Sequence, residues 1–157
     1  MWKLDDIIIK KKMNSKLPKS STLFESVKRD SDVRGSILSI VEHPIQNVSI
    51  IETNPGVFRS NHYHHKDFHF MYVLEGEIDY FYKSLDVDDT KLLKIKEGDT
   101  ILTPPSEIHS CYFPKFTKLV VSSGFPRDQK TYEDDTVRVE FVNSKNIQDM
   151  IKKYGKN

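Results

Sequence analysis

Between residues 34 and 142, short segments rich in Val, Ile, Tyr, Phe and Thr recur at close spacing, each ended by a turn signal. Candidate strands are 35–41, 47–53, 68–74, 77–83, 90–95, 99–103, 109–113, 117–123 and 136–142, all of residue types that suit a pleated, half-buried surface. Asn54-Pro55-Gly56, Glu75-Gly76, Glu97-Gly98-Asp99, Pro104-Pro105 and the stretch 124–126 separate them. No helical period falls between the segments, so alternating β and α units are disfavoured. An antiparallel sandwich or barrel is expected. Leu74-Glu75-Gly76-Glu77 reads as a tight hairpin with Gly76 at positive φ. The one expected helix closes the chain, capped by Asn143 or Ser144, striped by Ile147, Met150 and Ile151, and stopped by Gly155.

At 157 residues the chain has room for one domain, and 37% hydrophobic residues suffice for one core. We divide it into an N-terminal arm (1–29, partly flexible or strand-pairing), a barrel (30–142) and a C-terminal helical segment (143–157). A net charge of +1 provides no basic field for nucleic acid or an anionic membrane face. Ile7, Ile8 and Ile9, followed by three lysines, are too short for a signal peptide, and no run approaches the ~20 apolar residues of a membrane span. A soluble cytoplasmic protein is expected. The lone Cys111 has no partner for a disulfide within the chain. Two readings fit it: a thiol beside the site or a small buried hydrophobe. The segment 7–9 and the terminal helix are the surfaces available for a homodimer.

Four of the six histidines fall between His62 and His69. His62 and His64 are two apart in an extended segment and leave it on one face. His69 opens the next strand, and His109 opens another some forty residues on. Together His62, His64, His69 and His109 could hold a divalent transition metal such as Fe, Mn, Ni or Zn, for which neutral imidazole is a suitable ligand. Surface or satisfied polar histidines are the alternative. His65 and His43 are expected to be solvated.

The segment 56–76 (GVFRSNHYHHKDFHFMYVLEG) resembles the first motif of the cupins, with Gly56, His62, His64, His69 and Gly76 at the motif positions. His69 stands where most cupins carry Glu. Residues 98–109 resemble the second motif through Gly98, Pro104 and His109, with Ser106 at the usual glycine and Phe113 at the closing asparagine. The resemblance implies an all-β, single-domain cupin, a double-stranded β-helix or jelly-roll-like barrel.

A narrower resemblance links Asp32-Val33-Arg34-Gly35 and the run from Pro55 to His64 with the dTDP-4-dehydrorhamnose 3,5-epimerases and dTDP-4-keto-6-deoxyhexose 3,4-ketoisomerases. Ser60 replaces a motif glycine. That likeness implies Arg59 as a diphosphate holder, His62 or His64 as base and a nucleotide-sugar substrate. Tyr80 and Tyr82, which share a face with Ile78, are the expected pocket-lining tyrosines and candidate proton carriers. The leading expectation is an isomerase or epimerase of a sugar or sugar nucleotide, in cell-surface polysaccharide biosynthesis. A metal-dependent dioxygenase of a small molecule and a non-catalytic sugar-binding protein are the alternatives.

Overall fold

The structure is a computed structural model that describes residues 16–24 and 27–156. The Ile7–Ile9 segment proposed for dimer contacts lies outside the described residues. In chain order the strands are β1 (Thr22–Phe24), β2 (Val27–Asp32), β3 (Gly35–Ser39), β4 (Asn47–Thr53), β5 (Val57–His64) and β6 (His69–Glu75). After them come β7 (Glu77–Ser84), β8 (Lys91–Lys96), β9 (Thr100–Thr103), β10 (Glu107–Phe113) and β11 (Thr117–Ser123). Helix α1 (Gln129–Asp135), β12 (Thr136–Arg138) and helix α2 (Ile147–Tyr154) complete the chain.

Two five-stranded antiparallel sheets face each other, ordered β1-β9-β6-β11-β4 and β12-β5-β10-β7-β8, and β2 and β3 form a separate hairpin. The core between the sheets follows the period of two. Met71, Val73, Ile101, Leu119 and Val121 come from the first sheet, and Ile78, Tyr80, Ile95, Cys111 and Phe113 from the second. Each large apolar side chain buried there contributes about 1.5–3 kcal/mol. The β6–β7 turn is as expected. Gly76 has φ +96°, and a Cβ there would stand 2.4 Å from the Phe116 carbonyl oxygen.

A second cluster covers the outer face of the β5–β10–β7 sheet. Phe81 and Ile108 pack beneath Phe141, Val142 and Ile147, with Met150, Ile151 and Tyr154 of α2 alongside. These helical residues sit at i, i+3, i+4 and i+7, the spacing of one buried face. No helix among the described residues is long and apolar enough to cross a membrane.

Three differences from the sequence reading have physical causes. The expected strand 136–142 pairs only through Arg138, because Phe141 and Val142 turn away to pack under α2. Helix α1 was not foreseen: it buries no residue, so it carries no apolar stripe, and its signal is the Asp128 cap, whose carboxylate accepts from the Thr131 N–H. The N-cap of α2 is Asn146, while Asn143 forms a tight turn just before it, accepting from the N–H groups of Lys145 and Asn146. Within the N-terminal arm, Thr22–Phe24 pairs with β9.

Candidate active site

Strand β5 sets the site, and a β-bulge sets β5. His109 pairs with His62 across the β10–β5 ladder, yet the next step pairs Ser110 with Ser60, leaving Asn61 as an extra residue. Ser60 and Asn61 take φ +72° and +54°, the left-handed region that asparagine tolerates better than most residues. The bulge resets the alternation. Arg59, His62 and His69 line one cavity, together with Cys111 of β10 and Met71 of β6.

That cavity has a volume of about 120 Å³. Its deep wall is apolar, formed by Ile51, Phe113, Leu119 and Val121, and its polar rim holds Arg59, Arg127 and Tyr132.

His62, His64 and His109 are buried and bring one ring nitrogen each within 4.8 Å of one another. Hydrogen bonds orient two of them. The Thr136 hydroxyl donates to the Tyr132 carbonyl at 2.5 Å, so it accepts from His64 Nδ1–H at 3.2 Å, which leaves a lone pair on Nε2. His109 Nδ1–H donates to the Glu107 carbonyl at 3.2 Å, with the same consequence. The Nε2 atoms of His62 and His64 are buried and have no hydrogen-bond partner. Burial, with a smaller push from the neighbouring rings, takes the pKa of His62 down to about 2 and that of His64 to about 4. Burial takes His109 to about 3, partly opposed by its bond to the Glu107 carbonyl. All three rings are neutral at pH 7.

His69 joins the cluster differently. Its ring lies 4.7 Å from that of His64, but its Nε2 is paired with the Asp67 carboxylate at 3.0 Å. Asp67 is buried and held in turn, accepting from the N–H groups of Phe68 and Phe125. Three of the four expected ligands therefore converge, and the fourth is engaged by an acid that the sequence reading did not single out.

Arg59 donates through Nε to Thr53 Oγ1 at 2.7 Å and through a terminal nitrogen to the Glu52 carbonyl at 3.2 Å. Tyr80 and Tyr82 are buried on the inner face, as expected, but neither lines the cavity. The Tyr80 hydroxyl bonds Ser21 and Thr103, its ring stacks on His109, and burial holds its pKa well above the ordinary phenol value. The tyrosine on the cavity is Tyr132 of α1, its ring 5.5 Å from His64 and 6.2 Å from His62. The Cys111 thiol is buried among apolar residues, and burial pushes its pKa up to about 12, so it stays protonated. His65 is exposed as expected, whereas His43 is half-buried and packs edge-on against Phe68.

No protein-family model matches the chain, and neither does any curated protein sequence. Among solved structures, the chain is similar to a sugar 3,4-ketoisomerase from Thermoanaerobacterium thermosaccharolyticum in complex with TDP, at 19% identity and TM-score 0.63, covering 87% of this chain and 98% of that one. It is also similar to dTDP-4-dehydrorhamnose 3,5-epimerase from Sulfolobus tokodaii, at 13% identity and TM-score 0.63, over 85% of this chain and 91% of that one. The capsular polysaccharide assembling protein CapF from Staphylococcus aureus matches at 18% identity and TM-score 0.57, over 75% of this chain and 33% of the larger protein. The chain has the cupin fold that these sugar-nucleotide isomerases and epimerases share.

Proposed function

We propose that this protein is a sugar-nucleotide isomerase or epimerase that moves a proton beside a ring ketone, with a divalent transition metal held by His62, His64 and His109. The observation that carries the reading is the convergence of three buried, neutral imidazoles, of which His62 opens onto the cavity that Arg59 also lines. Rings whose pKa values lie near 2 to 4 are weak bases at pH 7 and ready ligands. The buried, unpartnered Nε2 atoms of His62 and His64, with Thr136 and the Glu107 carbonyl orienting His64 and His109 through Nδ1, fit the donor set of Fe, Mn, Ni or Zn. Such an ion would polarise a ketone oxygen.

The chain's own residues divide the remaining work. Arg59 holds an anionic group of the substrate, with part of its guanidinium already anchored by Thr53 and Glu52. His69 lines the site, its Nε2 held by the Asp67 carboxylate, a carboxylate-oriented imidazole of the kind that carries protons. For isomerisation His69 takes the proton from the hydroxyl-bearing carbon next to the ketone, and the C–H electron pair moves toward the carbonyl oxygen. The adjacent hydroxyl gives its proton to that oxygen, and the proton on His69 is delivered to the former carbonyl carbon. The apolar wall excludes water. A cavity of about 120 Å³ is small beside the roughly 300–1,000 Å³ of whole ligand pockets, so only the sugar end enters. Solvent deuterium should enter a dTDP-4-keto-6-deoxyhexose in the presence of the protein, and His69→Ala should abolish it. Exchange that survives His69→Ala removes His69 as carrier, and no exchange with any such ketosugar removes the function.

One observation favours a second reading. Ile51, Met71, Phe113, Leu119 and Val121 make a wall suited to a small apolar substrate beside His62 of the three-histidine cluster, the setting of a metal-dependent dioxygenase. Oxygen uptake by iron-loaded protein with a diketone or catechol would select it. A homodimer belongs to either reading; Val48 and Ile50, exposed on the outer face of β4, offer it apolar surface, and sedimentation equilibrium tests it.

A further inference from the structure

We propose that Arg127 is the second half of an anion clamp: with Arg59 it brackets the cavity rim and restricts the site to substrates bearing a phosphate or diphosphate. The proposal rests on the sugar-nucleotide reading for its substrate class and, for its residue, on the stacking of Arg127, just before α1, over Tyr132 at the cavity.

Both guanidinium-bearing side chains line the same cavity, and none of its lining residues is an aspartate or glutamate. Among the described residues no carboxylate lies within ion-pair distance of Arg127, whereas its neighbours Arg138 and Lys130 pair with Glu133 and Asp134. The Arg127 guanidinium instead lies over the Tyr132 ring, 5.3 Å from its centroid. Stacking on the face of a ring leaves the in-plane N–H groups of a guanidinium free to donate. Two like charges at one partly closed rim repel each other until an anion sits between them. Tyr132, whose ring also stands against His62 and His64, then fixes how far the anion lies from the histidine cluster. The clamp therefore sets which carbon of an attached sugar reaches the cavity.

The test uses full-length protein and isothermal titration with inorganic diphosphate and with TDP. Wild type is expected to bind both, Arg127→Ala to weaken both by about tenfold or more, and Arg127→Lys, which keeps the charge but not the planar stack, to recover only part of the loss. Arg127→Ala binding within about twofold of wild type overturns the proposal, and so does wild type that binds neither anion. Wild type that binds inorganic diphosphate through Arg127 yet exchanges deuterium into no ketosugar keeps the clamp and removes the isomerase reading. A thermal midpoint unchanged in Arg127→Ala confirms that the fold is intact, since Arg127 is half-exposed.

Discussion

Arg59 and His62 face the same cavity although three residues of alternation would place them on opposite sides of the sheet. The bulge at Ser60 and Asn61 makes this possible, and Asn61 secures it: its side chain donates to the Val142 carbonyl and accepts from the Val142 N–H, both at 3.0 Å. Asn61→Ala should cost about 2–3 kcal/mol, from two lost bonds and a buried backbone pair left without partners. Ser60→Gly should stabilise by up to about 1 kcal/mol, because glycine occupies φ +72° without strain. Urea denaturation midpoints read both, and a destabilised Ser60→Gly would contradict the strain.

Much of this arrangement was legible beforehand. Strands 47–53 and 117–123 match β4 and β11 residue for residue, because their alternation coincides with a one-sided core. The serines at two motif-glycine positions, Ser60 and Ser106, both keep a left-handed backbone, with φ +72° and +59°, so the cupin frame survives the substitutions. Tyr132 was not legible, since a seven-residue helix with no buried residue has no periodic pattern, and Arg127 lies outside any element, just before the Asp128 cap of that helix. Nor was Asp67: its pairing with His69 depends on a turn that the strand pattern does not describe.

Glu107 is buried, and its carboxylate accepts from the Ser20 hydroxyl at 2.7 Å and from the Ser21 N–H at 2.9 Å. The Ser21 hydroxyl also donates to it, at 2.5 Å. One acid thus ties residues 20 and 21 to β10. Glu107→Ala should destabilise by about 2–4 kcal/mol and free the arm. Limited trypsin digestion reads the second effect: cleavage after Lys16 or Lys19 should be faster than in wild type. Equal cleavage rates would show that the arm docks without Glu107.

Acid should unfold this protein early. His62, His64 and His109 have folded-state pKa values of about 2, 4 and 3 against an ordinary 6.5. Below pH 6.5 the unfolded chain takes up protons that the folded chain refuses, so stability is full above 6.5 and falls as pH drops toward those values. Each ring can cost about 1.4 kcal/mol per pH unit, and the three together about 4. Denaturation midpoints of metal-free protein should therefore decline from pH 7 to pH 5, mostly above the carboxylate range. A flat profile over that window would mean that the rings are not buried and neutral.

Metal addition separates the roles of the four histidines. Ligand at a hundredfold excess over its dissociation constant stabilises by about 2.7 kcal/mol, worth roughly 5–10 °C in a chain of this size. Zn²⁺, Ni²⁺ or Mn²⁺ should raise the melting temperature of metal-free wild type by such an amount. His62→Ala, His64→Ala and His109→Ala each remove one of the three converging nitrogens and should abolish the shift. His69→Ala should keep most of it, because His69 already spends Nε2 on Asp67, while it loses proton transfer. If His69→Ala also loses the shift, His69 binds the metal through its other nitrogen and the proton carrier must be sought at Tyr132.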